Sequence, residues 1–383
     1  MSPFDLKERN RTPDLKIDFR PIILAGGSGT RFWPRSRKAR AKQVLALDGK
    51  RTMIQHTVDR LKPLAVPSDF WVITNDLLSE TIRTQLTDIP QSQIIREPAA
   101  RNTAPAAGLA AFLIERTAPD AVLGMFPADH TIGNEQAFLV VIERAIAIAA
   151  AGENIVVLGI TPTRPETGYG YIETGESAPD GSLRVRRFTE KPNLQRAEQF
   201  LTVGNYHWNS GIFFWSARTL ASAVREHLPE TAPHLEAIAA AFGKPEFDCV
   251  FAERYPQCEN ISVDYAILEP RSAKGEHKSN LYCLPANFGW NDLGSWAALY
   301  EHQLARNNGT DPNKNVAESA GCLAIDACRN YVYSPKKFVS LVGVSDLVVV
   351  ETDDAILITA RDRSQDVGKL VKLLHDKGRK DLI

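Results

Sequence analysis

Apolar and polar positions along the first half of the chain follow two periods in turn. Phe19–Ala25 (FRPIILA) is a short apolar run ending in glycines, the pattern of a buried parallel strand. Thr52–Leu64 has apolar residues at helical spacing, and Phe70–Thr74 (FWVIT) reads as a second strand. Asn102–Thr117 is an Ala/Leu-rich helix, Ala121–Phe126 (AVLGMF) a third buried strand, Gln136–Ala151 a strongly apolar helix and Ile155–Ile160 a fourth strand. Such alternation predicts an α/β fold: a mostly parallel sheet with helices on both faces. Ligands of these sheets bind at the carboxyl ends of the strands, so the loops after Ala25 and Phe126 are the places to search.

From about residue 161 to 305 the pattern is less regular. Gly/Pro-rich loops alternate with helices and short β runs (Val185–Phe188, Gly211–Trp215), as expected of a substrate-facing lobe on the same sheet. The turn residues NNGTDPNKN (307–315) predict a linker. Beyond it, Cys322–Ile325, Tyr331–Tyr333, Val339–Val342, Leu347–Val350 and Ala355–Thr359 are β runs, followed by a helix at Asp366–Lys377. They predict a small all-β domain, either a few β-helix coils or a sandwich or meander. The expected division is a flexible arm over 1–18, a main domain over 19–306 and a C-terminal β domain with a terminal helix over 307–383.

Composition narrows the function. The 383 residues are 44% hydrophobic and carry 45 basic against 46 acidic side chains, a net charge of −1. That balance argues against nucleic acid or an anionic membrane as the main partner. Five cysteines without a CxxC pair fit reduced thiols, and the histidines form no HxH or HExxH, which speaks against zinc. The first 18 residues lack the apolar segment of a secretory signal, and no apolar run reaches membrane-helix length, so the expected location is cytoplasmic.

The chemistry concentrates after the first strand, at Gly26-Gly27-Ser28-Gly29-Thr30-Arg31. Glycines let a backbone approach a ligand and turn N–H groups toward phosphate. The run is neither a P-loop nor a GxGxxG fingerprint. From Gly26 to Leu47 there is no acidic residue, whereas Arg31, Arg35, Arg37, Lys38, Arg40 and Lys42 are basic, as a triphosphate would need. Asp129, ending the third strand, and Asp292, in GWNDLG, are candidates to hold Mg²⁺ between them; each alone also reads as a turn or N-cap residue. TGYGY, GluLysPro at 190–192 and WNSG at 208–211 offer Glu, Asn, Lys and amide groups suited to a sugar phosphate. Arg101-Asn102-Thr103-Ala104-Pro105 opens a helix, with Asn102 or Thr103 as its cap or as a neighbour of a nucleotide base.

Together, GGSGTRFWPRSR with KQ, EPAARNTAPA, FPADH, TGYGYI, FTEKP, WNSGIF, SVDYAILE and FGWNDLGSW resemble the mannose-1-phosphate guanylyltransferase family of the sugar-nucleotidyltransferase superfamily, over roughly residues 22–296. The resemblance implies a Rossmann-like mixed, mostly parallel sheet of the nucleotide-diphospho-sugar transferase type and a small β-helix-like C-terminal domain. It implies that Gly26, Gly27, Gly29, Thr30 and Arg31 hold the triphosphate, with Lys42 at the reacting phosphate. It implies Asn102 and Thr103 at the guanosine, Asp129 and Asp292 on Mg²⁺, and Gly170, Glu190, Lys191 and Asn209 on mannose 1-phosphate. Arg31, Lys42 and Lys191 would be the catalytic charges, GTP and mannose 1-phosphate the partners, with a homodimer as the assembly. The family's usual proline before the lysine is Ala41 here, which would leave Lys42 more mobile. Some relatives carry a fused isomerase domain; with no HxH pair, a single activity is expected. Alternatives are transfer to glucose 1-phosphate from UTP, dTTP or ATP, a non-catalytic sugar-nucleotide sensor, and a nucleic-acid binder using the 31–42 basic run.

Overall fold

The computed structural model describes residues 17–27, 29–306 and 311–383, so most of the expected arm and part of the linker lie outside the described residues. Eleven strands belong to the larger part: β1 (Phe19–Ala25), β2 (Trp71–Asn75), β3 (Ile94–Glu97), β4 (Val122–Pro127), β5 (Thr131–Ile132), β6 (Ile155–Ile160), β7 (Tyr171–Ser177), β8 (Leu183–Thr189), β9 (Tyr206–Ser216), β10 (Leu281–Ala286) and β11 (Trp290–Asn291). Nine of them form one sheet in the order β3-β2-β1-β4-β9-β6-β10-β8-β7, while β5 pairs with β11 apart from it. β1 is parallel to both β2 and β4, and β6 to β10; β9 runs antiparallel between β4 and β6. The sheet is therefore mixed.

Both faces are covered because neighbouring strand residues, which point to opposite sides, are both apolar. Ile22, Ile73 and Met125 pack on one face with α3 (Thr103–Glu115), once the preceding helices α1 (Met53–Leu61) and α2 (Asp76–Gln85) are set aside for the other. There Ile23, Val72, Val122 and Phe126 meet α1, α2 and α4 (Glu135–Ala150). β1 and β6 have the bounds that hydrophobicity predicts. The apolar pattern does not predict β3 or α2. β3 is an edge strand of four residues with only Ile94 and Ile95 buried, and no apolar run marks it.

The C-terminal strands are β12 (Val316–Ile325), β13 (Tyr331–Val342), β14 (Leu347–Glu351) and β15 (Ile356–Ala360). β12, β13 and β14 are consecutive and parallel, with only short turns between them. Ordinary parallel pairs need a long crossover, so these strands wind as coils, not as a sandwich. Tyr331–Tyr333 and Val339–Val342 fall on one strand, because Pro335-Lys336-Lys337 sits where the register shifts and does not end it. This unit shares a core with the larger one: Phe32, Trp33, Leu47 and Leu293 are buried with Trp296, Tyr331, Val348 and Val367. The Phe32 and Trp296 rings meet edge-on at 4.9 Å, and Trp296 Nε1 donates to the Trp33 carbonyl at 3.0 Å. No described helix is long and apolar enough to cross a membrane.

Asp48 fastens the helix Trp296–Arg306, whose Trp296 lies in this joint, to the larger unit. Its carboxylate lies 3.0 Å from His302 Nε2 and also bonds Arg306, both on the helix Trp296–Arg306. Burial alone would raise its pKa; the bonds and charges of His302 and Arg306 outweigh it and hold the group at about 2, against 3.8 ordinarily. A depressed carboxyl contributes stability above its unfolded pKa, and the contribution fades as pH falls from about 4 to about 2. Asp48→Asn should therefore lower the unfolding free energy at pH 7 by about 2 kcal/mol and remove that part of the acid dependence. An unchanged urea midpoint from pH 7 to pH 3 would contradict it.

Candidate active site

The glycine loop is built from behind by one side chain. Gln43, almost fully buried, donates its carboxamide to the carbonyls of Ala25, Gly26 and Gly27 at 3.0, 2.9 and 3.2 Å. Two N–H groups shared among three oxygens engage carbonyls that would otherwise repel a phosphate. Gly29 has φ +55°, and a Cβ there would fall 2.7 Å from the Lys42 main-chain nitrogen, so only glycine fits.

Lys42 is 5% exposed. Its ammonium donates to Asp129 Oδ2 at 2.8 Å and to the main-chain carbonyl of Asp292. The two-stranded pairing of β5 and β11, with Thr131 opposite Asn291, brings the Asp129 and Asp292 loops together. Burial would raise the Asp129 carboxyl, but the Lys42 charge overcomes it and holds it below the ordinary value. Asp292 Oδ1 accepts from Tyr169 Oη at 2.7 Å and from the Gly294 N–H at 3.1 Å. Asp292 thus makes the turn its sequence suggested and is not the cap of a helix that begins at Trp296. Ala41 has φ −71°, a value proline shares, and buried Lys42 is held at both ends despite the missing ring.

Gly26, Gly27, Asn102, Thr103, Asp129, Gly170, Glu190, Asn209 and Asp292 line one cleft of about 610 Å³. Gly29, Arg31 and Lys42 line an adjoining pocket of about 190 Å³ that shares both aspartates. Of the expected residues, Thr30 and Lys191 line neither. Lys191 bonds Glu190 Oε1 at 2.9 Å beside the cleft, at φ +44°. Burial would lower its pKa, but the Glu190 bond raises it. Gly170 sits so close to Glu190 that a Cβ would lie 2.5 Å from Oε2. Asn102 caps α3 through its side chain, and Thr103 accepts from the Val263 N–H at 2.9 Å, so both have structural duties at the cleft wall. Non-glycine residues with positive φ recur around the cleft (Asn102, Lys191, Leu293), each a strained conformation that the surroundings hold at a cost of about 1–3 kcal/mol.

Three further cleft residues stand inside motifs whose other members drew the sequence reading. Glu97, from EPAARNTAPA, lies at the end of β3 with Tyr255 Oη bonded to Oε1, and burial pushes its carboxyl up to about 7 against the pull of that bond. Asp264, from SVDYAILE, accepts from Asn209 Nδ2 at 2.9 Å, and burial and the Glu190 charge raise it to about 7. Tyr169, from TGYGYI, packs edge-on to Trp208 and Trp290. The basic flank divides: Arg35 lies 3.9 Å over the Tyr333 ring and Arg37 bonds Asp354 at 2.9 Å, so both serve the C-terminal unit.

A glycine loop and a carboxylate pair at the carboxyl edge of such a sheet define a nucleotidyltransferase, and the Nucleotidyl transferase family model matches residues 20–308. The MannoseP isomerase/GMP-like beta-helix domain matches residues 321–374. The chain is 38% identical over 94% of its length to the mannose-1-phosphate guanylyltransferase of Escherichia coli (strain K12), covering 74% of that protein. It is 36% identical over 94% of its length to the alginate biosynthesis protein AlgA of Pseudomonas aeruginosa, covering 73% of it. A crystal structure described as mannose-1-phosphate geranyltransferase from Thermus thermophilus superposes with a TM-score of 0.81 at 31% identity, over 94% of this chain and 100% of that one. The chain belongs to the mannose-1-phosphate guanylyltransferase family.

The Lys42 pairing predicts a titration. In Lys42→Met, ¹³C-detected carboxyl titration should show the Asp129 pKa rising above the wild-type value, since burial remains and the cation is gone. An unmoved Asp129 would contradict the pairing.

Proposed function

We propose that the chain joins GTP to α-D-mannose 1-phosphate, forming GDP-mannose and pyrophosphate. The observation that supports this is one cleft lined by Gly26, Gly27, both aspartates, Gly170, Glu190 and Asn209, with an adjoining pocket that shares the aspartates. In this reading an oxygen of the sugar phosphate attacks the α-phosphorus in line, the bond to the β-phosphate oxygen breaks, and pyrophosphate leaves. The nucleophile is already an anion at neutral pH, so no base is needed; the obstacle is repulsion between two anions. Gly26, Gly27, Gly29 and Arg31 receive the triphosphate, with Thr30 in the turn between them but off the pocket wall; Lys42 adds positive charge at the reacting phosphate, and Asn102 and Thr103 border the guanosine. Gly170, Glu190 and Asn209 receive the mannose 1-phosphate, with Lys191 beside the cleft.

The residues fit Mg²⁺. Asp129 Oδ1 and Asp292 Oδ2 carry no hydrogen bond among the described residues, and two hard oxygens suit an ion that completes its shell with phosphates and water. Among the described residues no cluster of three or more His, Cys, Asp or Glu side chains forms a protein-only site. Bound there, Mg²⁺ would neutralise charge on the substrate phosphates.

Glu97 favours guanine. It lies two strands from the glycine loop, about 10 Å at ordinary sheet spacing. A carboxylate can accept from both the N1–H and the amino group of guanine, whereas uracil and thymine offer one such donor. Five unpaired cysteines suit a reducing, cytoplasmic setting. A homodimer would cover Leu323, Ile325, Phe338 and Val342, exposed neighbours on β12 and β13.

Asp129→Asn and Asp292→Asn should each lower kcat by about 100-fold or more, the scale of losing a charge-stabilising group. Asp292→Asn should leave Tm little changed, whereas Asp129→Asn should also lower Tm because it leaves the buried Lys42 ammonium unpaired. Normal turnover of both at ordinary Mg²⁺ would remove the metal assignment. Pyrophosphate release with four nucleoside triphosphates and three sugar phosphates, with and without Mg²⁺, tests the whole reading; preference for UTP and glucose 1-phosphate would replace it. Because Glu97 becomes a carboxylate only above about pH 7, KM for GTP should rise as pH falls from 8 to 6, and Glu97→Gln should flatten that rise and erode selectivity over UTP. A pH-independent KM in the wild type would exclude Glu97 from the base site.

A further inference from the structure

Arg31, at the edge of the aspartate pocket, is held from the far end of the chain. The turn Thr30–Phe32 packs against the helix Val367–Asp376, and Phe32 and Val367 are buried in one core. At Gly368 a Cβ would lie 3.7 Å from Arg31 Cγ and 3.9 Å from Thr30 Oγ1, so that helix closes directly on the arginine stem. Arg31 Nη1 donates to Gln365 Oε1 at 3.2 Å. The same nitrogen lies 3.4 Å from where Gly294 would carry a Cβ, and the Asp292 carboxylate flanks that same point at 3.0 Å. Arg31 has no carboxylate within ion-pair distance among the described residues. Its neighbours Arg35 and Arg37 also reach the C-terminal unit, but outside this pocket, at Tyr333 and Asp354.

A neutral acceptor has a particular effect on an exposed arginine. The side chain carries about 2 kcal/mol of rotamer entropy that a single well-placed bond partly removes in advance of ligand. A carboxamide oxygen orients the guanidinium and leaves its charge whole; a carboxylate would orient it and cancel the charge. We propose that Gln365 is a positioning residue for Arg31, through which the C-terminal unit sets the triphosphate end of the site. The proposal rests on the reading that Arg31 meets the triphosphate.

The test is a double-mutant cycle on the full chain, with steady-state kinetics for both substrates and Tm. Gln365→Ala should raise KM for GTP about 3–10-fold, the scale of one ordinary net hydrogen bond, with KM for mannose 1-phosphate and Tm unchanged. Gln365→Glu should raise it further, and added salt should recover part of the loss by screening the new ion pair. In an Arg31→Ala background, Gln365→Ala should have no added effect. Wild-type GTP kinetics in Gln365→Ala, or an equal loss with and without Arg31, would overturn the proposal. Arg31→Ala with an unchanged KM for GTP would instead remove the triphosphate assignment of Arg31 itself.

Discussion

The buried ammonium of Lys42 is the constraint on which the site depends. It ties three parts of the chain: its own short turn after the glycine loop, Asp129 at the end of β4, and the carbonyl of Asp292. A lysine at 5% exposure would be costly if unpaired, and losing either partner would leave a charge in a low-dielectric wall. The pairing also fixes Gly29, whose missing side chain is what lets the loop lie on Lys42. One interaction thus sets the distance between the glycine turn and both carboxylates. The same fact qualifies Lys42 as a phosphate ligand, because its charge is already shared with Asp129.

The sheet was legible in the sequence because burial on both faces leaves continuous apolar runs, as at Phe19–Ala25 and Ile155–Ile160. β3 was not, since an edge strand buries only two side chains and leaves no run to read. The glycine loop was legible because glycines followed by basic residues without acid, directly after a buried strand, leave a positive charge that calls for an anionic partner. What the pattern could not give was the destination of each arginine. Arg31, Arg35 and Arg37 look alike in sequence. Only the position of Tyr333, Asp354 and Gln365, more than 290 residues later, separates the one that meets the C-terminal unit at the pocket from the two that meet it elsewhere. Glu97 and Asp264 were hidden differently. Each stands inside a motif noticed for other residues, and only burial reveals its raised pKa.

The two units are one structure at the point that matters. Leu293, next to Asp292, and Phe32, next to Arg31, are buried in the core that also holds Tyr331, Val348 and Val367. The loops that present the charged groups are therefore anchored in a hydrophobic interior to which the coils contribute. This gives the C-terminal strands a role in the geometry of the cleft beyond stability alone.

A rule of partner choice runs through the side chains. Charges that join elements meet opposite charges: Asp48 with His302 and Arg306, Arg37 with Asp354, Arg361 with Glu301. Several that face the cleft are held by neutral groups: Asp292 by Tyr169, Asp264 by Asn209, Glu97 by Tyr255, Arg31 by Gln365. A neutral partner orients a charge without spending it, so the charge stays available to a ligand of opposite sign. Lys42 with Asp129 and Lys191 with Glu190 are exceptions, and the first is informative: Asp129 Oδ1 and Asp292 Oδ2 carry no hydrogen bond among the described residues, so they stay open to a cation. For a reaction whose difficulty is the approach of two anions, Arg31 keeps its whole charge for the phosphates, whereas the carboxyl groups can help only by bonding substrate N–H and O–H groups or by holding a cation.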